Sequence, residues 1–147
     1  MKRTTISRIW RAGKRRIVRI LQRRTRIWRR RFSFNVGHAG EIAALRFLLA
    51  CGYDILARNL RVGNGELDLI AFHRQTLVFV EVKTRSRHDG FAPQLAVDRA
   101  KEEQLQRLAR AFCHRHGLDA SPIRFDVIAV TLRADAPPRV EHFVGAF

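Results

Sequence analysis

Four consecutive apolar residues, Leu77-Val78-Phe79-Val80, run directly into Glu81-Val82-Lys83, and few folds accommodate such a segment. A β-strand sends successive side chains to opposite faces. An unbroken apolar run therefore hides both faces and belongs in the middle of a covered sheet. The same alternation puts Glu81 and Lys83 on one face, about 7 Å apart. Burying a carboxylate and an ammonium there is costly unless they are paired or bind an ion. Alone, such a pair reads as the solvated end of a strand; a further partner is needed to make it a site.

The preceding strand supplies one. Gly65-Glu66-Leu67-Asp68-Leu69-Ile70-Ala71 is separated from the strand over 76–84 only by the turn His73-Arg74-Gln75. As hairpin neighbours the two strands bring Asp68 near Glu81, within reach of one cation. A site of two carboxylates that leaves room for waters and phosphate oxygens suits Mg²⁺ (or Mn²⁺). A cation held there polarises a phosphodiester and lowers the pKa of a bound water. Lys83 beside it is placed to orient that water or to offset charge building on the phosphorane.

Around this hairpin the expected order is α-β-β-β-α-β, an α/β domain with one mixed central sheet flanked by helices. A helix spans 41–50 and stops at Cys51-Gly52. Strands cover 53–62, 66–72 and 76–84, with a loop at 85–93. A helix at 94–116 carries an apolar stripe of Val97, Leu105, Leu108 and Phe112. A last strand spans 123–132 before the Pro137-Pro138 break. The 147 residues make one ordinary domain. No apolar run reaches the roughly 18–20 residues that cross a bilayer, and a secretory leader is not expected. Cys51 and Cys113 lack metal or redox spacing and read as reduced, partly buried thiols of a cytoplasmic protein.

Charge divides the chain in two. Residues 1–40 hold 14 of the 29 Lys and Arg and precede the first acid, Glu41; the remainder carries 15 basic against 13 acidic side chains, a balance of +2. We therefore read residues 1–36 as a basic arm and 37–147 as the domain. Ile6, Trp10, Ile17, Leu21, Trp28 and Phe32 share one helical face of that arm. Such an Arg-rich amphipathic segment is expected to meet polyanions, DNA phosphates first and, less favoured, a membrane surface through residues 1–35; the other readings are an organelle-targeting presequence, an over-called start codon, or a tail ordered only by what it binds.

From Gly37 onward the chain resembles the YraN-like family, related to archaeal Holliday-junction resolvases and to the restriction-endonuclease-like PD-(D/E)xK superfamily. The resemblance is carried by GHAGEIAALRFLLACGYDILARN at 37–59, GELDLIA at 65–71, VFVEVKTR at 78–85 and RFDVIAV at 124–130. It implies a restriction-endonuclease-like core, with Asp68 and Glu81 as metal ligands and catalytic residues and Lys83 as the catalytic lysine. Glu41 matches the acid that completes the metal-binding cluster in resolvase-like relatives. Leu67 stands where the superfamily usually has proline. Relatives often dimerise to cut both strands, so a homodimer is an expectation here.

The remaining polar residues divide by context. Arg85 and Arg87 follow the site and are candidate nucleic-acid contacts, or else solvated loop residues; Lys101 and Gln104 on the second long helix are candidates to contact phosphate or to support the site, or equally a solvated helix face. Glu66 flanks a turn and reads as an exposed acid. Asp126 is expected to pair with an arginine such as Arg124 or Arg58. His114 and His116 point in different directions on a helix and make no zinc site. The reading is thus a Mg²⁺-dependent endonuclease acting on DNA, branched or structured; the alternative is a non-catalytic nucleic-acid-binding protein that keeps the fold.

Overall fold

The computed structural model describes residues 36–86 and 98–147. Its elements are α1 (Val36–Ala50), β1 (Asp54–Val62), β2 (Gly65–His73), β3 (Thr76–Ser86), α2 (Arg99–His116), β4 (Ile123–Leu132) and β5 (Arg139–Phe143). One sheet holds the strands in the order β1-β2-β3-β4-β5. The first three form an antiparallel meander, β4 joins β3 in parallel, and β5 returns antiparallel to β4. A parallel neighbour needs a crossover, and the segment holding α2 provides it. The fold is therefore α/β with a mixed sheet, and its order through β4 is the α-β-β-β-α-β core expected from the sequence.

β3 is the covered strand its composition demands. Leu77 and Phe79 pack beneath α2 with Leu105 and Phe112, while Val78 and Val80 pack beneath α1 with Ala44 and Leu48. A two-residue turn joins it to β2, and Arg74 and Gln75 both take positive φ (46° and 70°), as a tight hairpin requires. That turn sets the register in which Leu69 faces Val80.

Four features depart from the sequence expectation, the first being that β3 continues through Ser86 where a loop is expected from residue 85. Helix α1 begins at Val36 rather than Glu41, because Gly40 is a packing residue and not an opening turn. A Cβ at that position would overlap the Thr84 side chain, so only glycine lets the helix lie this close to β3. Cys51 is exposed, and only Cys113 is buried; both thiols are free. Strand β5 was not foreseen at all. It is pinned by Asp126, which is fully buried and accepts hydrogen bonds from Arg124 Nε and Nη2 (2.7 and 2.9 Å) and Gly145 N (2.9 Å), with His142 Nε2 also 2.9 Å away. The expected pairing of Asp126 with Arg124 is thus present. The basic arm at 1–35, Arg87, and residues 94–97 of the expected second helix lie outside the described residues.

Candidate functional site

The site forms where β2 and β3 part. Their backbone ladder runs from His73↔Thr76 to Leu69↔Val80 and stops there. The next N–H on β3 that could reach across, that of Val82, donates instead to the Asp68 carboxylate (2.8 Å). Side-chain alternation on β2 breaks at the same residue. Leu67 packs with the core under α2, while Leu69 packs with the core under α1. Asp68 therefore points along the gap between strands rather than into either layer.

β1 breaks with it. Asn59 lies between the registered pairs Arg58↔Leu69 and Leu60↔Leu67, which sets it across from Asp68. Its φ of 46° is left-handed, a conformation Asn tolerates better than most residues, and such strain concentrates at functional sites. Asn59 Nδ2 donates to Glu41 Oε2 (2.8 Å), which descends from the first turns of α1. His38 Nδ1 lies 3.9 Å from the same oxygen. Asn59 Oδ1 is buried without a hydrogen-bond partner among the described residues.

From the other layer, Glu81 continues the Leu77–Phe79 face of β3 and meets α2. Its Oε1 lies 3.1 Å from Lys101 Nζ. Its side chain is only 10% exposed, and its Oε2 is buried with no hydrogen-bond partner among the described residues. A buried carboxylate oxygen left in that state is expensive. Lys83 shares the Glu81 face by alternation, is partly buried, and sits opposite Ala129 of β4.

These carboxylates act on each other. Burial, followed by the charge of Glu81, raises the Asp68 pKa from 3.8 to about 7. Glu41 adds to the rise, while the Val82 hydrogen bond and the Lys101 charge oppose it. A group shaped this way fits a hard cation bound through oxygen: the donors are carboxylates, one oxygen is orphaned, and the positive charge nearby does not satisfy them all. Among the described residues, no three His, Cys, Asp or Glu side chains converge closely enough to cage an ion unaided. Mg²⁺ does not need such a cage, since it keeps waters and takes phosphate oxygens.

The structure sets Glu81 and Glu41 within electrostatic range of Asp68, adds Lys101 by direct ion pairing with Glu81, and places Lys83 two residues along the same strand face. Gln104 lies one turn beyond Lys101 on α2 and is partly buried. Arg85 is held inward: its Nε donates to Thr131 Oγ1 (2.9 Å) and its Nη2 lies 3.9 Å from Glu141 Oε2. Glu66 is exposed. Asn59 escaped the sequence reading; its only signal was an asparagine inside a strand.

A stability measurement reads the strain at Asp68. An acid whose folded pKa exceeds its unfolded one is favoured in its protonated form by folding, so its contribution is lost as pH rises through about 7. Asp68→Asn keeps an oxygen for the Val82 N–H and removes the charge. It should therefore stabilise the metal-free protein by about 2 kcal/mol at pH 8, the gain shrinking toward zero near pH 4. Thermal melts of both proteins across that range check it; a destabilised variant at pH 8 would mark Asp68 as an ordinary structural carboxylate.

The model of a family described as "Uncharacterised protein family UPF0102" matches residues 40–130, the stretch that holds Glu41, Asn59, Asp68, Glu81, Lys83 and Lys101. A UPF0102 protein of Solibacter usitatus is 42% identical over 124 residues, 83% of this chain and 92% of the relative. One from Symbiobacterium thermophilum is 47% identical over 115 residues, covering 78% and 98%. Another, from Parafrankia sp., is 46% identical over 118 residues, covering 80% and 99%. None of these names states an activity.

Proposed function

The chain belongs to the uncharacterised protein family UPF0102, the YraN family, and we propose that it is a divalent-cation-dependent endodeoxyribonuclease acting on branched or structured DNA. The observation that carries this reading is Glu81: a carboxylate nine-tenths buried, with one oxygen unpartnered, beside an Asp68 whose pKa stands near 7. A structural ion pair does not call for that surplus of negative charge, whereas a site for Mg²⁺ or Mn²⁺ does.

In this reading Glu41, Asp68 and Glu81 hold the cation. Once bound, it would supply Lewis acidity toward a phosphodiester and toward a water. The chain's own residues do the rest. The Val82 N–H fixes one Asp68 oxygen, Asn59 fixes one Glu41 oxygen, and Lys83 presents its ammonium beside Glu81 to steady the attacking water or the developing phosphorane charge. The Arg-rich segment at 1–36 adds phosphate affinity that is independent of sequence and falls steeply with salt. We place such an enzyme in the cytoplasm with its DNA, and propose a homodimer for cutting paired strands, which light scattering of the purified protein checks. Among the described residues no helix is long and apolar enough to cross a membrane.

The experiment is cleavage of labelled four-way-junction, flap, single-stranded and duplex DNA in Mg²⁺ or Mn²⁺, with Asp68→Ala alongside. Cleavage by the wild type alone is the expected result and names the substrate class. Absence of cleavage by folded wild-type protein that still binds DNA overturns the enzyme and leaves a nucleic-acid-binding protein on a nuclease fold.

A further inference from the structure

Lys101 sits at the site without belonging to the strands that build it. Asp98 caps the first turn of α2, its Oδ1 accepting the Lys101 N–H (2.8 Å), so the root of the side chain is fixed. The tip is different: a third of the side chain is exposed, while its Glu81 partner is 10% exposed. The ammonium thus reaches a buried carboxylate from a solvent-facing stem of four flexible carbons, and it can withdraw along the same path.

We propose that Lys101 is the resident counterion of this site, neutralising Glu81 when no divalent cation is bound and displaced by the cation when one arrives. The inference rests on the cation reading above. Glu81 Oε2 stays unpartnered while Oε1 holds Lys101, so one ammonium meets half the demand of a carboxylate that a divalent ion can meet in full. Two cations cannot share those oxygens without repulsion. The lysine then has two effects of opposite sign. It steadies the metal-free fold by relieving the repulsion among carboxylates, and it weakens cation capture, because the ion must first expel it.

Lys101→Met keeps the length of the stem and removes the charge; Lys101→Arg keeps the charge. In isothermal titration with Mn²⁺ at pH 8, Lys101→Met should bind about tenfold more tightly than wild type, and Lys101→Arg should stay near wild type. In chelator, Lys101→Met should melt below wild type, and saturating Mn²⁺ should raise its melting temperature by more than it raises that of wild type. Mn²⁺ affinity that is equal or weaker in folded Lys101→Met overturns the counterion and leaves the cation site standing. No Mn²⁺ binding by either protein overturns the cation reading and the exchange with it, leaving Lys101 as a structural partner of Glu81.

Discussion

Lys83→Ala should lose cleavage by about a thousandfold or more while keeping its fold and its affinity for DNA. Lys83 stands on the Glu81 face of β3, where the strand has already separated from β2 and faces Ala129 of β4. In the proposed enzyme a lysine in that position is one charge among many, with 14 basic residues in 1–40 alone to supply non-specific phosphate attraction. Its distinctive feature is its place, two residues along the strand face from Glu81, the carboxylate that would hold the cation. Loss of a group that acts only as the transition state forms lowers the rate without lowering binding. Single-turnover cleavage and an equilibrium binding titration on the same junction separate the two. Lys83→Met serves as control for the packed stem, because it preserves the aliphatic contacts and should fail as completely as alanine. Unchanged cleavage in both variants would remove Lys83 from the chemistry. A parallel fall in binding and rate would make it a phosphate contact.

The legible and illegible parts of this molecule divide by the range of the interactions that define them. Leu77 to Val80 announced a doubly covered strand because burial on both faces is written in consecutive residues, and β4 emerged with its sequence-read limits for the same reason. The pairing of Asp68 with the Glu81–Lys83 strand followed from a short turn, a local matter. Strand β5 has no such local signal. Arg139-Val140-Glu141-His142-Phe143 is partly or fully exposed throughout, and its order comes from Asp126, sixteen residues away from His142. The start of α1 is illegible for the opposite reason: the helix expected from residue 41 takes in Gly40, whose close contact with Thr84 lies 44 positions away in the chain. Asn59 and Lys101 were visible as residue types on a strand and a helix. Their roles depend on which carboxylate each meets, Glu41 in one case and Glu81 in the other, and only the assembled sheet brings those together. Arg85 was read as lying in a loop toward DNA; the extension of β3 to Ser86 turns it toward Thr131 and Glu141 instead.

Asp126→Ala should destabilise the protein by about 3–5 kcal/mol, the largest effect on stability expected from any single change here. The carboxylate is fully buried and is bonded by both the Nε and the Nη2 of Arg124, by the Gly145 N–H and by His142. Burial alone would raise its pKa; the Arg124 hydrogen bonds, then those of Gly145 and His142, outweigh that and hold it below the ordinary value. An acid with a depressed folded pKa adds stability above its unfolded pKa, and that stability is lost as pH falls through the folded value. The loss in Asp126→Ala should accordingly be full at pH 7 and shrink under strongly acid conditions. Part of it is the cost of leaving Arg124, whose side chain is one-quarter exposed, beside Tyr53, to whose hydroxyl the guanidinium also donates (3.0 Å), with no carboxylate to answer it. A double variant tests that account. Arg124→Met with Asp126→Leu replaces the pair by apolar groups of comparable size, and buried pairs replaced in this way lose little. Denaturant unfolding of the single and double variants should therefore place the double closer to wild type than Asp126→Ala. If the double variant loses as much as Asp126→Ala or more, the unanswered arginine is not the source of the cost and that account fails.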